Sequence, residues 1–191
     1  MSLVLVSVTD GVATLTLNNP EERNTLTAPM VAEITAAMDE IEGNDKIGAL
    51  VVTGAAPAFC AGANLGNLQK ASGDSLGNIY EGFLRIARSP LPTIAAVNGA
   101  AVGAGMNLAL GCDIRIAAED ARFAVPAAKL GLGYRYSGIK RLVDLIGASF
   151  TAEFFFTARQ FTAQEALDCW LRLGLVQRFG EMDEVPLFAV Y

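Results

Sequence analysis

Apolar and polar positions alternate twice at the start of the chain, from Leu3 to Val8 and from Val12 to Leu17, with Asp10-Gly11 between them. A period of two on both sides of an Asp-Gly pair predicts a hairpin. The stretch from Asn18 to Asn24 is loop chemistry. Thr27 then caps a helix with Pro29 in its first turn and Met30, Ile34, Met38 and Ile41 on one face. Gly43-Asn44-Asp45 ends that helix, and the apolar run Ile47 to Val52 predicts a short buried strand. A second helical period covers Asp74 to Ser89, with Leu76, Ile79, Tyr80, Phe83, Leu84 and Ile86 facing inward and Pro90 and Pro92 closing it. Strands follow at Thr93 to Val97, Asp113 to Ala117 and Arg122 to Val125. Helices follow at Tyr136 to Ile146, Ser149 to Ala158 and Thr162 to Leu173, and a last strand at Leu175 to Phe179. Thr162 with Glu165 three residues on has the form of a capping box.

Two stretches break the periodic pattern in the same way. In TGAAPAFCAGANLG (53–66) and VNGAAVGAGMNLALG (97–111) a buried strand gives way to small residues and then to a helix-compatible run. Glycines there allow close approach to the backbone, and the start of a helix points unpaired N–H groups outward. Such a place stabilises negative charge, as a phosphate or as a developing oxyanion. The repetition suggests a strand–strand–helix unit used more than once, with its turns converging on one site.

The 191 residues suggest one domain, and 52% apolar with 18% charged is ample for a large core. No run has the length of a membrane helix and no basic-then-apolar signal opens the chain, so the expectation is a cytoplasmic protein free of membranes. A net charge of −6 with scattered bases argues against a nucleic-acid surface. Cys60, Cys112 and Cys169 form an odd, widely spaced set and read as buried free thiols. The chain has no histidine. A Ser-His-Asp or Cys-His nucleophile and a His-ligated metal are thereby excluded, and proton transfer falls to carboxylates, Tyr, Lys, Cys or water.

The glycines admit a dinucleotide reading. NGAAVGAG (98–105) has the glycine spacing seen in short-chain dehydrogenases, and Tyr136 with Lys140 matches their Y-x-x-x-K pair. That cofactor turn ordinarily follows the first strand of its domain, whereas about half of this chain precedes it. Too few residues separate Gly105 from Tyr136 for the intervening elements.

The paired turns AFCAGANL (58–65) and AAVNGAAVGAGMNLA (95–109) resemble the crotonase superfamily, the enoyl-CoA hydratase/isomerase family. The resemblance continues through NNPEERNTL (18–26), GCDIRIAA (111–118), ARFAVP (121–126), LGLG (130–133) and FTARQFTAQEAL (156–167). It implies an α/β fold, a crotonase-like spiral of repeated β-β-α units over residues 1–191. It also implies an acyl-CoA thioester substrate, no cofactor beyond the coenzyme A carried by that substrate, and assembly as a homotrimer or a dimer of trimers. By the same resemblance the thioester oxygen is held by the backbone N–H groups of Ala63 and Ala104. Arg23, Ala61, Gly62, Asn64, Leu65, Gly103, Ala127 and Leu132 line the substrate. Arg23 and Lys70 have the charge to pair with the coenzyme A phosphates, with solvated surface charge as the other reading of both.

The acid/base positions depart from the family. Where hydratases carry two glutamates this chain has Asn107 and Ala127. Asn orients a water but cannot take its proton, and Ala does neither. Nearby, LGLGYRYSGIK (130–140) resembles a segment of methylmalonyl-CoA decarboxylase, which implies a catalytic or orienting role for Tyr134. Two alternatives to hydration follow: decarboxylase-like enolate chemistry, or an inactive acyl-CoA binder. The segment EALDCWLRLGLV (165–176) is longer than the family's link, and the usual closing helical section is absent. This suggests a truncated chain, or an end completed by a neighbouring subunit.

Overall fold

The computed structural model describes residues 2–63, 82, 84–134 and 136–170, without the side chains of residues 137, 169 and 170. The expected strand at Leu175 to Phe179 and most of the helix expected over Asp74 to Ser89 lie outside the described residues. Residues 84–87 are helical and Ile86 is fully buried.

β1 (Val4–Thr9) and β2 (Val12–Leu17) pair antiparallel, as the alternation predicts. Asp10 (φ 49°) and Gly11 (φ 78°) are both left-handed, the backbone that a two-residue hairpin turn requires. Helix α1 (Ala28–Glu42) starts where Thr27 Oγ1 accepts the Met30 N–H. Its predicted face is its buried face: Met30, Ile34 and Met38 are fully enclosed and Ile41 nearly so. Each such side chain stabilises the fold by about 1.5–3 kcal/mol relative to exposure.

β3 (Ala49–Gly54) begins two residues later than the apolar run. Ile47 closes a turn instead, its N–H donating to Asn44 O, while Gly48 N–H donates to Gly11 O. β4 (Ala58–Cys60), β5 (Thr93–Val97), β6 (Ala100–Val102), helix α2 (Ala104–Gly111), β7 (Ile114–Ala117), β8 (Arg122–Ala124) and the short helix α3 (Ala127–Leu130) follow. β6 lies inside what the sequence reads as a turn. It is three small residues long, too short for any period to register, and is held as a strand between β4 and β8. The two helices expected around Gly147 form one span, α4 (Tyr136–Thr157), broken at Gly147 by φ 77° and ψ 167°. β9 (Phe161–Thr162) leads into α5 (Ala163–Trp170). The capping box closes as predicted, with Glu165 N–H donating to Thr162 Oγ1 and Thr162 N–H donating to Glu165 Oε2.

Topology makes the repeat explicit. One sheet runs β1-β2-β3-β5-β7 and the other β4-β6-β8-β9. Pairing is parallel from β2 through β3 and β5 to β7, and from β4 through β6 to β8. Each coil therefore adds one strand to each sheet, and β5-β6-α2 and β7-β8-α3 are successive coils of an α/β spiral. Equivalent turns come to lie side by side, which gathers the functional positions.

Candidate active site

The two glycine turns meet. Gly62 has φ 101°, and a Cβ built on it would stand 2.7 Å from Val102 O and 3.5 Å from Ala104 N. Gly105 is tighter still, since a Cβ there would fall 2.1 Å from Cys60 O. Only glycine permits either approach. The carbonyl of Gly62 accepts the Leu26 N–H at 2.7 Å, in the bridge that joins Leu26 to Ala63. Across a trans peptide the following N–H points the opposite way, so the Ala63 amide faces away from Leu26. Likewise Gly103 O accepts the Asn107 N–H along the axis of α2, which turns the Ala104 N–H out at the helix start. The junction thus sets two small residues from neighbouring coils at the mouth of one helix, with the positive end of its dipole behind Ala104.

Side chains of the next coil border this junction. The Tyr134 hydroxyl lies 3.4 Å from the Cβ position of Gly103, and its ring packs edge-on against Phe155 at 5.0 Å between centroids. Asn107 lies one turn into α2, with 6% of its surface exposed. Its carboxamide lies 3.8 Å from the Cβ position of Gly138, and the Tyr134 ring lies 3.9 Å from that same position. Ala127 is buried at the start of α3. No carboxylate occupies either position 107 or position 127.

Other expected site residues fall elsewhere. The carbonyl of Arg23 accepts the Ala61 N–H at 3.0 Å, so this residue joins the β4 turn through its backbone, with its side chain exposed. Leu132 is 43% exposed. Asn64, Leu65 and Lys70 lie outside the described residues. Tyr136 is 77% exposed and Lys140 pairs with Asp144 on the outer face of α4, which removes the Y-x-x-x-K pair from any cofactor site. Burial pushes the Cys60 and Cys112 thiols up to about 12 each, so neither is a nucleophile at neutral pH.

Two asparagines shape the junction and escaped the sequence reading. Asn24 is fully buried in the left-handed region (φ 56°). It donates to Ala55 O and Ala58 O and accepts from Asn19 N–H, tying the loop of residues 18–26 to the start of β4. Asn98 donates to Gly54 O at 2.6 Å. The available signal was asparagine's tolerance of left-handed backbone in a loop between two apolar runs.

Comparison with known proteins agrees with this architecture. The Enoyl-CoA hydratase/isomerase family profile matches residues 7–188. The chain belongs to the enoyl-CoA hydratase/isomerase family. It is 50% identical over 133 residues to Probable enoyl-CoA hydratase EchA14 of Mycobacterium tuberculosis, covering 68% of this chain and 52% of that protein. The Short-chain-enoyl-CoA hydratase of Clostridium acetobutylicum is 35% identical over 187 residues, covering 95% of this chain and 70% of its own length. A solved enoyl-CoA hydratase from Bacillus anthracis superposes with a TM-score of 0.83 at 31% identity, covering 88% of this chain and 68% of that one. The match to EchA14 thus spans about half of that relative, and this family member keeps the spiral that carries the two turns.

Proposed function

We propose that the protein processes acyl-CoA thioesters through an enolate whose oxygen is held by the Ala63 and Ala104 amides. The observation that carries this reading is the apposition of Gly62 to Ala104 N, with the Ala63 amide turned away from Leu26. An enolate puts full charge on the thioester oxygen, and each preorganised amide donor lowers that state by about 2.7–4 kcal/mol. Such donors act on any reaction that passes through the same charge. The side chains around them decide which reaction it is.

With Asn107 and Ala127 in place of carboxylates, no group at these positions removes a proton from water. Enolate chemistry that begins without a base is therefore the better fit. Loss of carbon dioxide from a malonyl-type thioester forms the enolate directly: the carbon–carbon bond electrons move onto the thioester, and a weak acid then protonates carbon. The Tyr134 hydroxyl beside Gly103 is the specific observation favouring this second reading. Trimeric assembly, a cytoplasmic setting and coenzyme A as part of the substrate belong to the same proposal.

The test is a paired assay of crotonyl-CoA hydration and malonyl-CoA decarboxylation. Slow hydration that rises at least a hundredfold in an Asn107→Glu, Ala127→Glu double variant supports the reading. Fast hydration by the unaltered chain overturns the assignment of acid/base roles. Binding of thioesters with no turnover of either makes the protein a binder, and no binding at all removes the acyl-CoA reading itself.

A further inference from the structure

The segment that brings Tyr134 to the junction has little to lean on. Leu130, Gly131, Leu132 and Gly133 are all exposed, and Cβ atoms added at Gly131 and Gly133 would meet nothing within 4 Å. Yet the Tyr134 hydroxyl rests 3.4 Å from the Cβ position of Gly103, the residue that opens α2. It reaches that spot in one χ1 rotamer, and a step to another carries the oxygen away from the junction. Backbone standing this free exerts little hold on the rotamer, so the choice falls to what packs on the ring.

Phe155 packs there. The two rings meet edge to face, 5.0 Å between centroids and 82° between planes, an arrangement that aromatic quadrupoles favour. Phe155 is itself placed by an anchored arm. α4 breaks at Gly147, and beyond the break the buried Thr151 donates from Oγ1 to Gly147 O at 2.8 Å. Phe154 is fully buried and stacks on Phe161 of β9 at 3.6 Å between centroids. One residue on, Phe155 projects about 100° further round the helix, onto Tyr134. The arm is thus tied to β9 on one side and steadies the phenol on the other.

We infer that Phe155 is a positioning residue for the Tyr134 hydroxyl, its ring holding the phenol beside the start of α2, where the proposed reaction needs its acid. The inference rests on the enolate reading above, with Tyr134 as the weak acid, and adds the residue that aims it. Phe155 acts through Tyr134 rather than on the substrate. An aromatic pair of this geometry favours one orientation over its competitors by about two- to tenfold, and removing the ring frees the hydroxyl to leave the junction by that measure. The loss falls on kcat, because a misdirected acid slows proton delivery while the thioester still binds.

A double-mutant cycle on malonyl-CoA decarboxylation by the full chain tests it, read as kcat and KM. Phe155→Leu should lower kcat by about three- to tenfold and leave KM within about twofold. In a Tyr134→Phe background the same substitution should leave kcat within about 1.5-fold, since the group being aimed is gone. A merely structural role would cost the same in both backgrounds, so additive losses overturn the inference. Phe155→Met, long and apolar but without a ring, carries the same cycle should Phe155→Leu fail to fold. A loss in Tyr134→Phe with none in Phe155→Leu overturns the inference and leaves the acid assignment standing. Full activity of Tyr134→Phe, or no turnover of malonyl-CoA by the unaltered chain, overturns both.

Discussion

Around the junction of β4 with α2 a side chain has nowhere to go, whereas at Gly131 and Gly133 it meets open space and at Gly138 only ordinary contact. Added Cβ atoms at Gly105, Gly54, Gly99 and Gly62 would come within 2.1–2.7 Å of backbone oxygens that cannot swing aside. Added Cβ atoms at Gly131 and Gly133 meet nothing within 4 Å, and at Gly138 only ordinary contact. The junction of the two turns is thus fixed by main-chain packing between coils of the spiral. Around Gly138 the neighbours are side chains, Asn107 and Tyr134, at ordinary contact distance. Such a division separates backbone with no freedom to move from side-chain positions, such as 107 and 127, that a sequence can vary.

The comparison breaks most easily at Gly105. Gly105→Ala should destabilise the protein by about 3 kcal/mol or more, seen as a melting temperature lower by about 6–12 °C, with turnover lost alongside. An unchanged melting temperature would mean the junction is looser than its geometry. Ala104→Pro separates chemistry from packing. Proline is accepted at the first position of a helix, so the fold should persist while one amide donor disappears, with kcat lower by about 10²–10³-fold. A folded variant with full activity removes Ala104 from the proposed oxyanion pair.

At the looser end, Gly138→Ala should change stability by no more than about 1 kcal/mol, and in the stabilising direction, because alanine is the better helix former. Thermal unfolding of this variant beside Gly105→Ala sets the two regions on one scale. Glu33, remote from both, serves as a baseline. Its carboxylate accepts from Ser2 Oγ, Leu3 N–H and Val4 N–H, and the Ser2 hydroxyl above all holds its pKa below the ordinary carboxylate range. The folded value is the depressed one, so the contribution is complete above the unfolded value and fades as pH falls through the folded one. Glu33→Gln should therefore cost up to about 1 kcal/mol near neutral pH and nothing in strong acid, read from denaturation midpoints across that window.

How much of this was legible beforehand follows the length of each signal. The hairpin, α1 and the capping box of α5 are carried by several residues repeating at a fixed period, and each formed where the pattern put it. β6, α3 and β9 are too short to have a period. They exist because neighbouring coils offer them partners, which no local pattern records. Within the site, the paired glycine turns were readable because close backbone approach demands glycine. The clamp at Asn24 was not, because two of its three hydrogen bonds run to Ala55 O and Ala58 O, brought near only by the fold. The meeting of Asn107, Tyr134 and Gly138 likewise spans two coils.

Cys60 has a practical consequence. Its side chain lies against Gly105 at the tightest point between β4 and α2, and burial holds the thiol protonated. An alkylating reagent reaches that sulfur only when strand and helix part, so the labelling rate of a protein stripped of its other cysteines becomes a stopwatch for the breathing of this seam.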